Sequence, residues 1–164
     1  MNIEFNADEI FEMAEQIERN GAEYYRKAAE NIGDEAKGYK LLLQLADMED
    51  NHERTFSRMR DKFSKPEWQE DFIPDNEVAL YLRAIADGHV FNVKMNPVQL
   101  LTGHESLEEI LRTAIKLEED SIVFYLGMRD MVPPAFGKEG IEQIIKEEKS
   151  HIVTLVNLLT HLDQ

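Results

Sequence analysis

The sequence contains no cysteine and comparatively few basic residues. The absence of cysteine excludes disulfide bonds, thiolate catalysis, iron–sulfur clusters and all zinc or rubredoxin-like iron sites with cysteine ligands. Lys and Arg together number 18 against 33 Asp and Glu, which gives a formal net charge of -15. Because nucleic acids and anionic membrane surfaces are bound through clustered basic side chains, neither is an expected partner.

Long apolar runs and strand-like alternation are also scarce. No stretch is apolar enough to span a bilayer, and the N-terminus enters an acidic amphipathic pattern instead of a signal peptide, so we expect a cytoplasmic protein. Apolar residues recur with a spacing near 3.6, which predicts an all-α protein. A chain of 164 residues is expected to form one domain, 1–164.

Four long helices are predicted, with helix-start residues before three of them. Helix one begins after Asn6, with Glu9 as its capping partner; Asp34 caps helix two; and Ser106 with Glu109 forms a capping box for a later helix. The predicted ranges are about 7–31, 35–64, 107–132 and 137–162, with a crossover over 65–106 that contains a short helix near 76–86. This order predicts two antiparallel hairpins joined by one long crossover in a four-helix bundle.

Six polar residues occupy core-facing positions of these predicted helices. They are Glu18, Glu49, His52, Glu118, Glu148 and His151. A carboxylate facing a core is costly unless positive charge meets it, and these positions include no Lys or Arg. Two divalent metal ions would balance four carboxylates beside two neutral imidazoles. The alternative is that the histidines are ordinary core residues and the glutamates lie on solvated faces.

The spacing of these residues suggests how they would bind metal. Glu49 with His52, and Glu148 with His151, lie three apart and can each offer an oxygen and a nitrogen to one ion. The remaining two glutamates have no histidine partner and would be terminal or bridging ligands. Mixed oxygen and nitrogen ligation favours iron or manganese, while zinc stays open.

Two tyrosines lie on the same predicted faces as the unpartnered glutamates. Tyr25 and Tyr125 follow Glu18 and Glu118 by seven residues, which is two helical turns. Each phenol could donate a hydrogen bond to a ligand carboxylate and orient it. The alternative is that both are amphipathic core aromatics.

We expect simpler roles for the residues around the candidate ligands. Gly21 and Ser121, one turn from the unpartnered glutamates, would leave room for an oxygen ligand on the metal or permit close helix approach. We expect solvated faces for the neighbouring acidic residues, with a supporting role open for two of them. These residues are Asp47, Asp50, Glu53, Glu119 and Glu147, of which Glu53 and Glu119 are the two. His89, His104 and His161 are expected to be structural or surface residues.

Four segments resemble the ligand-bearing helices of the rubrerythrin-like branch of the ferritin-like superfamily. They are QIERNGAEYYRKAAE, LQLADMEDNHERTF, IKLEEDSIVFYLGM and IIKEEKSHIVTLV. The resemblance implies a ferritin-like four-helix bundle, two iron ions held by the six residues named above, and reduction of hydrogen peroxide or activation of dioxygen. A homodimer is expected as well.

Two departures from rubrerythrins shape this expectation. Without cysteine there is no rubredoxin domain, so an external electron donor protein would be needed. Rubrerythrins also place a further glutamate where this chain has Ser121, so their redox-linked movement of iron is not carried over. The alternatives are an iron-sequestering protein with ferroxidase-type capture, and a metal-stabilised helical scaffold.

Overall fold

The computed structural model describes residues 7–65, 76–86 and 95–162, and within them the ordered elements are all helices. The helices are α1 (Ala7–Ile32), α2 (Tyr39–Phe63), α3 (Asn76–Ala86), α4 (Leu107–Met131) and α5 (Lys138–Thr160), with short 3-10 turns at Pro97–Leu100 and Pro134–Phe136. The predicted all-α class is therefore confirmed. Within the described ranges, no helix has the length and apolar character needed to cross a membrane.

Ion pairs at both ends show that α1 and α2 are antiparallel. Asp8, near the start of α1, forms an ion pair with Arg60 near the end of α2 at 2.7 Å. Arg26, further along α1, forms an ion pair with Asp50 in the middle of α2 at 2.5 Å. The start of α2 likewise lies near the end of α5, because the Lys37 ammonium donates to the His161 carbonyl at 2.7 Å. These directions fit two hairpins packed against each other as in a four-helix bundle.

Two apolar clusters fill the bundle on either side of its middle. One includes Phe11, Phe56, Met128 and Ile141, and the other includes Tyr24, Leu42, Leu111 and Leu155. Each fully buried large apolar side chain contributes about 1.5–3 kcal/mol. The two clusters leave a buried polar layer between them, and that layer contains the candidate site.

The predicted helix boundaries are mostly right, but the start of helix two is wrong. Asp34 does not cap α2, which begins at Tyr39 after Gly38. Gly33 and Gly38 have φ values of 84° and 97°, a left-handed conformation that suits glycine and interrupts a right-handed helix. The intervening residues form turns, with the Ala36 N–H donating to the Gly33 carbonyl at 3.1 Å. The prediction from cap-type side chains alone therefore placed the start of α2 too early.

Other predicted boundaries have mixed outcomes. The capping box of Ser106 and Glu109 at the start of α4 is present, and the short connector helix is found at Asn76–Ala86. The last helix ends at Thr160 instead of near 162. The predicted cap at Asn6, and crossover residues 66–75 and 87–94 with His89, lie outside the described residues.

Candidate metal centre

All six predicted ligand side chains lie together in the polar layer. Their exposed fractions are 1% for Glu18, 4% for Glu49, 3% for His52, 3% for Glu118, 0% for Glu148 and 2% for His151. Each of the four long helices contributes at least one of them. The alternative with glutamates on solvated faces is therefore wrong.

The donor atoms form two overlapping sets. One set is Glu18, Glu49, His52 and Glu148, the other is Glu49, Glu118, Glu148 and His151, and the donor atoms of each set lie within 4.8 Å of one another. Glu49 and Glu148 belong to both sets, whereas Glu18 and Glu118 each belong to one. The shared pair therefore has donor atoms close to both sets, and the other two glutamates each have donor atoms close to one set.

Both histidines turn the same ring nitrogen toward the carboxylates. The Nδ1 atom of His52 lies 3.0 Å from Glu148 Oε1 and 3.4 Å from Glu18 Oε2. The Nδ1 atom of His151 lies 2.9 Å from Glu148 Oε2 and 3.3 Å from Glu118 Oε1. The imidazole rings are nearly parallel, at 18°, with centroids 5.7 Å apart. Each set therefore has one inward-facing imidazole nitrogen.

Several of these converging atoms have no hydrogen-bond partner among the described residues. They are Glu18 Oε2, Glu49 Oε1, His52 Nδ1, both carboxylate oxygens of Glu148, and both ring nitrogens of His151. Buried polar atoms are nearly always paired, and unpaired ones call for an explanation such as a bound ion. Two cations at this point would satisfy oxygen and nitrogen donors together, so the donor set fits a di-metal group.

Burial and mutual repulsion shift the pKa values of the clustered side chains. Burial, followed by repulsion from Glu118, raises the pKa of Glu148 to about 8. Burial and the neighbouring Glu49 likewise raise the pKa of Glu18 well above its ordinary value. Burial opposes protonation of His151, but the nearby carboxylates of Glu118, Glu148 and Glu49 outweigh burial and raise its pKa to about 12. Without metal, protons must supply the compensating charge.

The two tyrosines make reciprocal hydrogen bonds between α1 and α4. The hydroxyl of Tyr25 donates to Glu118 Oε1, and that of Tyr125 donates to Glu18 Oε1. Each phenol thus contacts the carboxylate of the opposite helix and not the one on its own helix. Burial raises the pKa of both phenols well above the ordinary value, so they remain protonated donors. The two bonds are symmetrical, in keeping with the equal spacing of seven residues between Glu18 and Tyr25 and between Glu118 and Tyr125.

Glu147, which we expect on a solvated face, also contacts the site. Its Oε2 atom lies 2.6 Å from the outward-facing Nε2 of His52. Its side chain is still 37% exposed, so helical periodicity alone could not reveal the contact. Glu53, considered as a supporting residue, instead pairs with Arg19 at 2.7 Å. His104 and His161 are exposed, as expected.

A cavity of about 280 Å³ opens beside the cluster between α1 and α4. Its lining includes Gly21, Ser121, Glu49 and Glu118, together with Pro97 from the turn before α4. A Cβ atom on Gly21 would lie 3.4 Å from the Glu49 Cγ atom. Both small residues therefore border the open space beside the candidate ligands, and the two roles considered for them remain predictions.

An all-helical bundle whose long helices surround buried carboxylates and imidazoles has the ferritin-like architecture. The structure is similar to the crystal structure, at 2.30 Å resolution, of a Thermotoga maritima protein described provisionally as a ferritin-like diiron-carboxylate protein. The TM-score is 0.70, with 24% sequence identity over 94% of each chain. This similarity establishes the fold. Neither a protein-family model nor a curated protein sequence matches the chain.

Proposed function

We propose that this protein binds a pair of metal ions, with iron as the native metal, and uses them in redox chemistry. The observation that carries the proposal is the convergence of buried donor atoms that have no hydrogen-bond partner among the described residues. The buried Glu and His cluster fits a di-iron protein, and the provisional description of the Thermotoga protein supports iron. Manganese and zinc are the competing metals, because ligand type alone does not select among them.

The ligand roles follow from the two donor sets. Glu49 and Glu148 would bridge the ions. Glu18 with His52 would complete one position, and Glu118 with His151 would complete the other, because each pair belongs to one donor set. Four carboxylates then balance two divalent ions while both imidazoles remain neutral.

We propose reduction of hydrogen peroxide, or activation of dioxygen, as the reaction. Two ferrous ions, when bound, supply two electrons for breaking the O–O bond. The protein's own contribution is to hold the ligands, to admit the oxidant through the cavity at Gly21 and Ser121, and to exclude bulk water with the apolar clusters. Because the chain has no cysteine, an external protein would return the electrons.

Metal analysis of protein purified without added metal tests the binding proposal. Wild type should retain two ions per chain, whereas His52→Ala and Glu118→Gln should lose stoichiometric metal because each removes a terminal donor. The exposed His161→Gln variant is the control, since it lies outside both donor sets. Undiminished metal in both site variants would refute the assignment.

An anaerobic peroxide titration tests the reaction. The diferrous protein should consume about one peroxide per ion pair, because two electrons reduce one O–O bond. Absorbance would follow oxidation of the pair. Iron capture for storage predicts a hollow multimer that loads many more ions, whereas redox chemistry predicts the expected homodimer holding two per chain. A scaffold role predicts that metal-free protein keeps its partner binding.

A further inference from the structure

We infer that the two metal positions are inequivalent. The Glu18 position, completed by His52, should fill first and hold its ion more tightly. The Glu118 position, completed by His151, should be the exchangeable one and the one that meets small ligands from the cavity. This inference rests on the proposed two-metal site and concerns the difference in affinity and exchange between its two positions.

Among the described residues, a supporting hydrogen bond is present behind His52 and absent behind His151. The ring of His52 has Nδ1 directed at the carboxylates, so its Nε2–H faces Glu147 and donates to Oε2 at 2.6 Å. A carboxylate behind a ligand histidine fixes its tautomer and ring orientation and makes the ligating nitrogen more basic. The Glu18 position therefore has a preorganised imidazole. Glu147 also accepts from the Gln143 amide at 2.8 Å, which holds it in place.

The second histidine lacks this support within the described part of the chain. His151 Nε2 is buried and has no hydrogen-bond partner there. To bind metal through Nδ1, a neutral His151 must carry its proton on Nε2, which leaves a buried donor unsatisfied. In the matching Glu49 and His52 pair of α2, Met48 precedes Glu49 as Glu147 precedes Glu148 in α5. Where one half has a carboxylate, the other has a thioether.

The cavity distinguishes the same two positions independently. It touches Glu118 and Tyr25, whereas Glu18 and His52 are not among its lining residues. The shared Glu49 also borders it. An incoming small anion or oxidant therefore meets the Glu118 position first. The Glu18 position has the supported histidine, so it should retain its ion. The Glu118 position borders the open space, so its ion should exchange.

Cobalt(II) is a suitable probe because its visible absorbance reports the ligand environment during anaerobic titration. Wild type should bind two ions in separate steps. Glu147→Ala should weaken the tighter step about 10–100-fold, the usual effect of losing such a partner, and bring the two steps together. Glu147→Gln keeps an acceptor without the charge, so its affinity in the tighter step should lie between those of wild type and Glu147→Ala. The exposed Glu142→Ala on the same helix is the control and should titrate like wild type.

The complementary variant is Met48→Glu, which supplies a carboxylate at the equivalent place in α2. It should strengthen the weaker step, a gain that a merely structural role for Glu147 does not predict. Azide, added to the two-cobalt protein, tests the cavity. Ser121→Leu should weaken azide binding at least tenfold while both ions remain bound, because the added side chain occupies the cavity next to Glu118.

The outcomes separate this inference from the proposed function. If wild type binds no cobalt, the two-metal proposal itself fails. If it binds two ions in equal steps and Glu147→Ala changes neither, the site stands but the inequivalence is overturned. Azide affinity unaffected by Ser121→Leu, with both ions bound, would overturn the assignment of exchange to the cavity side.

Discussion

At the scale of single residues, the two oxygens of the Glu18 carboxylate have different surroundings. Tyr125 donates to Glu18 Oε1, while Glu18 Oε2 has no hydrogen-bond partner among the described residues and lies 3.4 Å from His52 Nδ1. The phenol thus fixes one oxygen and leaves the other directed at the donor set. Orientation of this kind reduces the freedom that a glutamate would lose on binding metal.

Removing either phenol should therefore weaken metal binding. Tyr125→Phe and Tyr25→Phe should each lower metal affinity about 10–100-fold, because a ligand carboxylate loses its orienting donor. Tyr24→Phe is a matched control on α1, since its hydroxyl donates to the Ile110 carbonyl at 3.0 Å, away from the donor sets. It should lower the free energy of unfolding by about 0.5–1.5 kcal/mol and leave affinity unchanged. If all three variants bind metal with the affinity of wild type, Tyr25 and Tyr125 contribute to packing and do not orient the ligands.

Residue positions could be predicted at the site better than residue partners. Helical spacing placed the six ligand candidates on core-facing positions because burial follows periodicity. It could not predict that Tyr25 contacts Glu118 across the bundle, nor that Glu147 contacts His52. Such contacts depend on how helices cross and rotate against each other, and a single-helix pattern contains no such information.

At the scale of elements, α3 docks on α4 where α4 carries a glycine. A Cβ atom on Gly127 would come within 2.9 Å of the Leu82 side chain and 2.7 Å of the Tyr81 ring. Leu82 is completely buried, so it has little space in which to move. Gly127 therefore permits the close approach that brings the connector helix onto the bundle.

Gly127→Ala provides a prediction whose sign separates packing from helix propensity. Alanine favours an isolated helix interior by about 1 kcal/mol over glycine, so propensity alone predicts stabilisation. The close contact predicts the opposite, with loosening of α3 and a lower free energy of unfolding. Hydrogen exchange should rise over 76–86 and remain unchanged around the metal cluster. A more stable variant with protected α3 amides would contradict the packing argument.

Element boundaries were predictable where side-chain chemistry and backbone conformation agree. At α4, Ser106 and Glu109 satisfy the helix start reciprocally, and the predicted box is present. At α2, Asp34 has suitable cap chemistry, but Gly38 adopts a left-handed conformation just before the helix. Sequence spacing alone does not show which glycine takes that conformation, so the boundary moved by one helical turn.

At the scale of the whole molecule, apolar packing and buried charge oppose each other. The clusters around Phe56 and Leu42 stabilise the two ends of the bundle, while the polar layer between them buries four carboxylates. Desolvation and mutual repulsion of these carboxylates lower the stability of the metal-free protein. We therefore expect its free energy of unfolding to rise when cations bind. The strongly negative net charge has the same consequence, because each bound divalent ion reduces it.

Glu148→Gln should separate the stability of the fold from that of the site. In metal-free protein, burial raises the pKa of Glu148 to about 8, so this side chain is mostly protonated at pH 7 and glutamine resembles it. Unfolding free energies of metal-free variant and wild type should be similar below about pH 4.5, where Glu148 is protonated in both the folded and the unfolded chain. A raised acid pKa contributes stability that is complete below the ordinary value of 4.5 and is lost as pH rises through about 8. Metal-free wild type should consequently become less stable than the variant as the pH rises from 4.5 to about 8, and it should already be the less stable of the two at pH 7.

Adding metal should stabilise wild type more than the variant. Wild type at 100 times the dissociation constant gains about 2.7 kcal/mol from ligand binding, whereas the variant has lost a donor shared by both sets and should gain much less. Denaturant unfolding with and without added ferrous iron under anaerobic conditions measures both differences. Glu142→Gln, an exposed change on the same helix, should behave as wild type throughout. If the metal-dependent gain persists in Glu148→Gln, this carboxylate does not bridge the ions, and the order of stabilities will remain that of the metal-free proteins.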